Sequence, residues 1–363
     1  MAGILNFFKQ SITPSYLGVD IGTTSIKVVE MKSGQQRAAS VVNYGILESS
    51  GYLARANQVL QTSALKLFEK EVVELLKTVL REMKPQATEV IASIPAFSAF
   101  LTVLDFPMMS APDLERAMAY QAKQYVPLPI SEIALEWFKV GETKDEKGFV
   151  HQQILLVSLP REQVAKYRKI FELAGLRLAA LEIEPLAIAR IYGGADPTPT
   201  IVVDIGSRST NIAFIEKGAL KFNAQSDFAG ASLTQALSTS LGINPLRAEE
   251  LKKERGIVGT GPNYELSTIM FPFVDAIINE VKKAEYKYAS QFPEAPRLER
   301  VILAGGTANL LGIEKYFERE MGRPVVKGTP FAGFEYPPVM EPLVPELNPV
   351  MSVALGLGLR EFI

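Results

Sequence analysis

Apolar and polar residues alternate through two stretches of the chain, SYLGVDIGTTSIKVVEMKSG at 15–34 and PTIVVDIGSRSTNIAFIEKG at 199–218, and the second stretch repeats the first. Laid over each other, Asp20 falls on Asp204, Gly22 on Gly206 and Ser25 on Ser209. Each is an apolar run, an acidic residue, a Gly-containing polar turn and a second β-rich run, which predicts a β-hairpin. A third strand follows each copy, in GQQRAASVVNYGIL and in ALKFNAQSDF.

Between the copies the pattern changes period. Residues 56–83 carry apolar positions at helical spacing (Leu60, Leu65, Leu67, Val72, Leu75, Leu76, Val79, Leu80), and Lys84-Pro85 ends the run. EVIASIP, 89–95, reads as a strand buried on both faces, the parallel-sheet kind. Residues 96–178 then run strand, helix, strand, strand, helix: AFLTVLDFP, DLERAMAYQAKQYV, ALEWFKVGE, VHQQILLVSLP, and a helix from Pro160 to Ala174 with Gly175 at its C-terminal turn. LAALEIEPLAIARIYGG is a strand and a short helix beginning at Pro185. After the second hairpin come the helix ASLTQALSTSLG, a polar helix NPLRAEELKKERG and the amphipathic FPFVDAIINEVKKAEYKYASQF. RVILAGGTANLLGIEKYFEREMG is strand, Gly-Gly turn and helix, and NPVMSVALGLGLREF is a single closing helix. The fold class is therefore α/β, with two similar halves and an α+β block inserted in the first.

The repeated hairpin points to phosphate binding. Glycine lets backbone approach a ligand, turn N–H groups and small hydroxyls donate to phosphate oxygens, and an Asp can hold a hydrated Mg²⁺. Composition narrows the alternatives. The 363 residues are 47% apolar and 21% charged, ordinary for a globular protein, and a net charge of −2 gives no reason to expect nucleic-acid binding by a basic face. With no Cys, thiol nucleophiles and thiolate-held metals are excluded. A single His, His151, argues against Ser-His-Asp chemistry and multi-histidine zinc; beside GETKDEKG it reads as a strand-edge or loop residue. No stretch approaches the roughly 20 apolar residues of a membrane span. The opening MAGILNFFKQS reads as an arm tucked on a neighbour or, through Ile4, Leu5, Phe7 and Phe8, as a weak membrane or partner contact.

Taken together, the motifs resemble those of the actin, heat-shock chaperone and sugar-kinase superfamily. The hairpins match its two phosphate motifs, AGGTANLLGIEKYF its adenosine motif, and LEIEPLAIARIYG and NPVMSVALGLGL its two connecting helices, all five in the family's order along residues 16–360. The resemblance implies an actin-like ATPase fold around a nucleotide cleft that binds ATP or ADP with Mg²⁺. It divides the chain into a first α/β domain at 15–95 plus 179–198, closed by 337–363, and an inserted subdomain at 96–178. The second half is an α/β domain at 199–240 plus 300–336 and a helical subdomain at 241–299. It places Asp20 and Asp204 around the metal's water shell, Gly22, Thr23, Thr24 and Lys27 on the β- and γ-phosphates, and Gly206 and Ser207 opposite them. Lys27 lies seven residues past Asp20, the family spacing for its phosphate lysine. Gly305, Gly306 and Thr307 would pass beneath the adenosine. Glu249 and Lys252 resemble residues that contact adenine and ribose; a solvated charged helix is the other reading. Glu184 either orients the attacking water or caps the helix at Pro185.

The order of elements in 96–178 is that of the cell-division protein FtsA and of PilM-like type IV pilus proteins. FtsA-like chains continue into a linker and an amphipathic membrane helix, whereas this sequence stops at Ile363. LGVDIGTTSIKVVEM and AMAYQAKQYVPLPISE are further similar to the PilM-like family. That family implies a cytoplasmic protein, peripheral on the inner membrane, with weak ATPase activity at most. Its partner is the N-terminal cytoplasmic peptide of PilN, with PilO and the pilus motor ATPases indirect neighbours and homo-oligomers possible in principle. The peptide groove would draw on Phe97, Phe100, Leu104, Tyr120, Tyr125 and Trp137. A filament-forming division ATPase, a type II secretion homologue and a small-molecule kinase are the alternatives.

Overall fold

Two five-stranded sheets of the same plan organise the computed structural model, which describes residues 15–48, 69–126, 128–144, 147–194, 196–258, 261 and 264–363. In the first, β1 (Ser15–Ile21), β2 (Ser25–Ser33) and β3 (Ala39–Glu48) are antiparallel, and β4 (Glu89–Ile94) and β8 (Arg177–Ile183) continue the sheet in parallel, in the order β3-β2-β1-β4-β8. In the second, β9 (Thr200–Ile205), β10 (Thr210–Glu216) and β11 (Ala219–Ser226) are the antiparallel set. β12 (Arg300–Ala304) and β13 (Val325–Lys327) add to it in parallel, in the order β11-β10-β9-β12-β13. The hairpin registers repeat: Asp20 stands across from Lys27, and Asp204 across from Asn211. Both turns close with the same bond, Gly22 N–H to Ser25 O at 2.9 Å and Gly206 N–H to Ser209 O at 3.0 Å.

A third, antiparallel sheet is formed by β5 (Phe100–Pro107), β6 (Ile133–Lys144) and β7 (Val150–Pro160), in the order β5-β7-β6. With helix α2 (Ala111–Tyr125) it has its own core of Leu104, Phe106, Met118, Ile133, Ile154 and Leu156. Helix α1 (Glu69–Met83) lies on the first sheet and stops where Lys84, at φ 50°, turns the chain into Pro85. Helix α3 (Arg161–Leu173) leaves the third sheet and buries Tyr167, Ile170 and Phe171 in the core of the first, beside Val72 and Leu76 of α1. The second half is covered by α5 (Gly230–Leu241), α6 (Pro245–Arg255), α7 (Tyr264–Gln291) and α8 (Ile313–Met321).

Two helices cross between the halves. Helix α4 (Glu184–Gly193) starts immediately after β8 and packs on β10 and β11 of the other sheet. After α9 (Val344–Val350), helix α10 (Ser352–Leu359) packs on α4 and on β1. Its residues SVALGLG are all buried, so it has no polar face. The approach is backbone to backbone. A Cβ on Gly18 would lie 2.1 Å from Ala354 O, and one on Gly356 would lie 2.2 Å from Ala187 O.

The structure differs from the sequence reading at two helices. The expected single closing helix is broken at Met351 into α9 and α10, because the Pro349 carbonyl accepts from Gly305 N–H (2.8 Å) and from Ser352 Oγ (3.0 Å). The long helix read as starting at Phe271 begins at Tyr264 and carries Pro272 in its interior rather than in a first turn, where proline is favoured. Residues 56–68 of the first predicted helix, and Ile4, Leu5, Phe7 and Phe8, lie outside the described residues.

The crossing sets a stability expectation. Gly18→Ala drives a methyl into the α10 backbone, and overpacking of this kind costs about 3 kcal/mol. Urea unfolding of the variant should show that loss, and an unchanged midpoint would contradict the backbone contact.

Candidate functional site

The turn ends of the two hairpins converge where α4 begins. Asp20, 3% exposed at the end of β1, accepts from Lys27 Nζ at 2.9 Å through Oδ2 and from Ser93 Oγ at 2.9 Å through Oδ1. Ser93 sits at the end of β4, so two neighbours in the sheet fix both carboxylate oxygens. Burial alone would lower the Lys27 ammonium. The charges of Asp20, Asp204 and Glu184 more than offset it, and the pKa lies above the ordinary lysine value. Burial pushes Asp204 up to about 6, with Asp20 adding to the shift and Lys27 opposing it. Glu184 is pushed up to about 8, first by burial and then by Asp20 and Asp204, while Lys27 and Asn211 pull it back. Three carboxyl groups therefore share one ammonium, and two of them have raised pKa values as a result.

Glu184 does not cap its helix. It is the first helical residue of α4, the residue before it is Ile183, which has no capping side chain, and Pro185 follows in the first turn. Its carboxyl belongs to the charged cluster.

On the second half, the turn at Gly206 and Ser207 is a backbone hub. Gly206 O accepts from Gly230 N–H (3.0 Å) and from Thr307 Oγ1 (3.2 Å), and Ser207 O accepts from Ala231 N–H (2.7 Å). Gly305, at φ +81°, lies against Asp204: a Cβ there would stand 2.4 Å from Oδ1. Gly306 beside it faces open space, with nothing within 4 Å of where a Cβ would be. Lys252 is 6% exposed and spends its ammonium on Gly230 O (3.1 Å), Thr234 Oγ1 (2.9 Å) and Glu249 Oε2 (2.6 Å). Burial lowers the Lys252 pKa, and Glu249 is held below the usual carboxylate range against its own burial by Lys252 and Thr234. The pair ties α6 to the start of α5; it is not a solvated helix face.

The sequence reading thus finds Asp20, Lys27, Asp204 and Glu184 in one cluster, with Thr23 and Thr24 in the half-buried turn after Gly22. Gly206, Ser207, Gly305, Thr307 and Lys252 gather a few bonds away. It missed Ser93, Gly230, Thr234 and Asn211. Asn211 was within reach, since it follows Asp204 by the same seven residues that separate Lys27 from Asp20. Its Oδ1 accepts from Asn223 Nδ2, and its side chain lies against the Glu184 carboxyl, whose pKa it helps to lower. The six peptide-groove residues divide. Leu104 is in the core of the third sheet with Phe100 and Trp137 packed against it, Phe97 is half-buried before β5, and Tyr120 and Tyr125 are exposed on α2. His151 lies on β7. Among the described residues no group of three His, Cys, Asp or Glu side chains is placed to hold a metal directly. No helix of the described residues is long and apolar enough to cross a membrane.

Comparison with known proteins agrees with this architecture. FtsA of Enterococcus faecalis is 26% identical over 342 residues, covering 83% of this chain and 75% of the relative; FtsA of Enterococcus hirae is 27% identical with the same coverage. Among solved structures, a PilM–PilN type IV pilus biogenesis complex superposes with a TM-score of 0.78 at 21% identity, covering 96% of this chain and 98% of that one. MreB5 of Spiroplasma citri bound to ADP gives 0.55 at 14% identity, covering 95% of each chain. These likenesses show the actin-like fold. The pattern of the family described as "Type IV pilus assembly protein PilM" matches residues 18–362, and the chain belongs to that family.

Proposed function

We propose that this protein binds a magnesium–adenine nucleotide between its halves and uses that occupancy to dock the N-terminal cytoplasmic peptide of PilN at the inner-membrane platform of the pilus machine. The observation that carries the reading is the charge cluster. Two register-matched hairpins bring Asp20 and Asp204 together with a single ammonium, Lys27. A polyphosphate alone would be repelled there, whereas a phosphate-bound divalent cation supplies the missing positive charge. With no cage of three protein ligands among the described residues, Asp20 and Asp204 would act on the cation through its water, as magnesium favours. Lys27, Thr23 and Thr24 would hold the phosphates from one side and Gly206 and Ser207 from the other. The bare face of Gly306 leaves room for the nucleoside, with Thr307 and Lys252 beneath it. MreB5 of the same fold is bound to ADP, which supports a nucleotide as the ligand.

Turnover is expected to be slow. A carboxyl whose pKa is about 8 is mostly protonated at neutral pH and takes no proton from water, so Glu184 is a weak base in the free chain. Nucleotide then acts as a structural ligand, stabilising the chain by ~3–4 kcal/mol at 100–1,000 times Kd. The PilM–PilN complex supports PilN as the partner. The apolar surface open to a peptide near the third sheet includes Met108, Tyr120, Tyr125 and Phe138, all exposed. The FtsA relatives favour a second reading, a filament-forming ATPase, which sedimentation with Mg-ATP tests directly.

Asp20→Ala and Asp204→Ala should abolish Mg-nucleotide binding and peptide docking together, while Glu184→Gln keeps binding and loses residual hydrolysis; normal Mg-ATP titration of Asp204→Ala would refute the site. Because Asp204 carries a proton below about pH 6 in the free chain and must release it to face the cation, Mg-nucleotide affinity should fall as pH drops from 7 to 5. Titrations corrected for protonation of the nucleotide itself check this, and a flat profile would remove Asp204 from the cation's shell. Calorimetric titration with the PilN peptide should show one-to-one binding that tightens with Mg-ATP, and by reciprocity the peptide should tighten nucleotide. Equal affinity with and without nucleotide would separate docking from the cleft.

A further inference from the structure

Strand β4 is buried along five of its six residues, and among those five the one polar side chain is Ser93, beside Val90, Ile91, Ala92 and Ile94. It is 1% exposed, and a hydroxyl so buried needs a partner. The partner is Asp20: Ser93 Oγ donates to Oδ1 at 2.9 Å. The register explains the meeting, because Val19 pairs with Ala92 in parallel strands, and Asp20 and Ser93 are the next residue on each. The second oxygen, Oδ2, takes the Lys27 ammonium at 2.9 Å. The two donors differ in freedom. Lys27 reaches Asp20 on a long flexible stem and would turn toward the phosphates of a bound nucleotide, whereas Ser93 has a short side chain on a buried strand. Ser93 is therefore the donor that stays on Asp20 with or without nucleotide.

Both carboxylate oxygens thus carry a donor before any cation arrives. Asp20 is itself only 3% exposed, and among the described residues no three His, Cys, Asp or Glu side chains are placed to hold a cation directly. A carboxylate held in this way is suited to accept from the waters around a cation and poorly suited to give the cation both of its oxygens. That distinction separates two common hard cations. Mg²⁺ sheds water reluctantly and keeps several waters in its octahedral shell, whereas the larger Ca²⁺ takes carboxylates directly, through one oxygen or both. We propose that Ser93 is a positioning residue that keeps Asp20 on the cation's water and so makes the cleft select Mg-nucleotide over Ca-nucleotide. This deepens the nucleotide reading above and rests on it. Without the Ser93 hydroxyl, Asp20 gains an open oxygen, is free to turn about its Cβ–Cγ bond and can ligate the larger ion.

The test is calorimetric titration of ATP into the full chain at saturating Mg²⁺ and, separately, at saturating Ca²⁺. The wild-type chain should bind Mg-ATP more tightly than Ca-ATP. Ser93→Ala removes only the hydroxyl oxygen, and in this variant the ratio of the two affinities should fall about tenfold, the value of one hydrogen bond to a charged acceptor. Loosened packing would weaken both complexes alike. Equal losses with the two cations, or no loss with either, would therefore overturn the role of Ser93 while leaving the cleft assignment standing. A wild-type chain that binds the two complexes equally would overturn the selectivity whether or not the variant folds. A wild-type chain that binds ATP with neither cation would overturn the cleft assignment and this inference with it.

Discussion

One ammonium serves three carboxyl groups at the point where the two halves meet, and much of the surrounding construction follows from that imbalance. Lys27 is committed to Asp20, and Ser93 holds the second oxygen of the same carboxylate, so that pair is satisfied. Asp204 and Glu184 have no such partner and meet the deficit by raising their proton affinity. Burying charge without compensation is costly. The junction tolerates it because Asp204 and Glu184 keep partial contact with solvent. A floor that lacks positive charge and is rich in turn amides suits a cation-bearing anion better than a bare one.

Much of this was legible in the residues. The repeat of Asp20 in Asp204 and of Gly22 in Gly206 is strict enough to survive as identical register and identical turn closure. Sequence cannot show tertiary hydrogen bonds, and these are what it missed. The break at Met351 follows from Gly305 N–H capturing the Pro349 carbonyl across roughly 44 positions, an interaction that leaves no local signature. RAEELKKERG leaves Lys252 open between a nucleotide contact and a solvated helix face, because nothing nearby reveals that Gly230 O and Thr234 Oγ1 will surround its ammonium. Leu104 shows the converse, a residue whose apolar character is fully used inside the third sheet.

The third sheet is joined to the first domain by more than its chain connections. Helix α3 leaves β7 and places its apolar face in the first core, so the inserted block and the first five-stranded sheet share buried side chains. On its other side, Lys221 of β11 donates to Gln153 of β7 at 3.1 Å, a buried tie to the second half. The sheet is thus held from both halves, and any change in their separation is felt there.

Where α10 crosses β1 and α4, the contact is glycine against carbonyl, Gly18 on Ala354 and Gly356 on Ala187. Side chains that interlock must climb out of their grooves before two elements can slide, and that climb is a barrier to motion. Backbones meeting through bare Cα atoms have few such teeth. The crossing is therefore a smooth seam at the centre of an otherwise toothed core, the place where the closing helix can shift on the first sheet and on α4 with the least repacking.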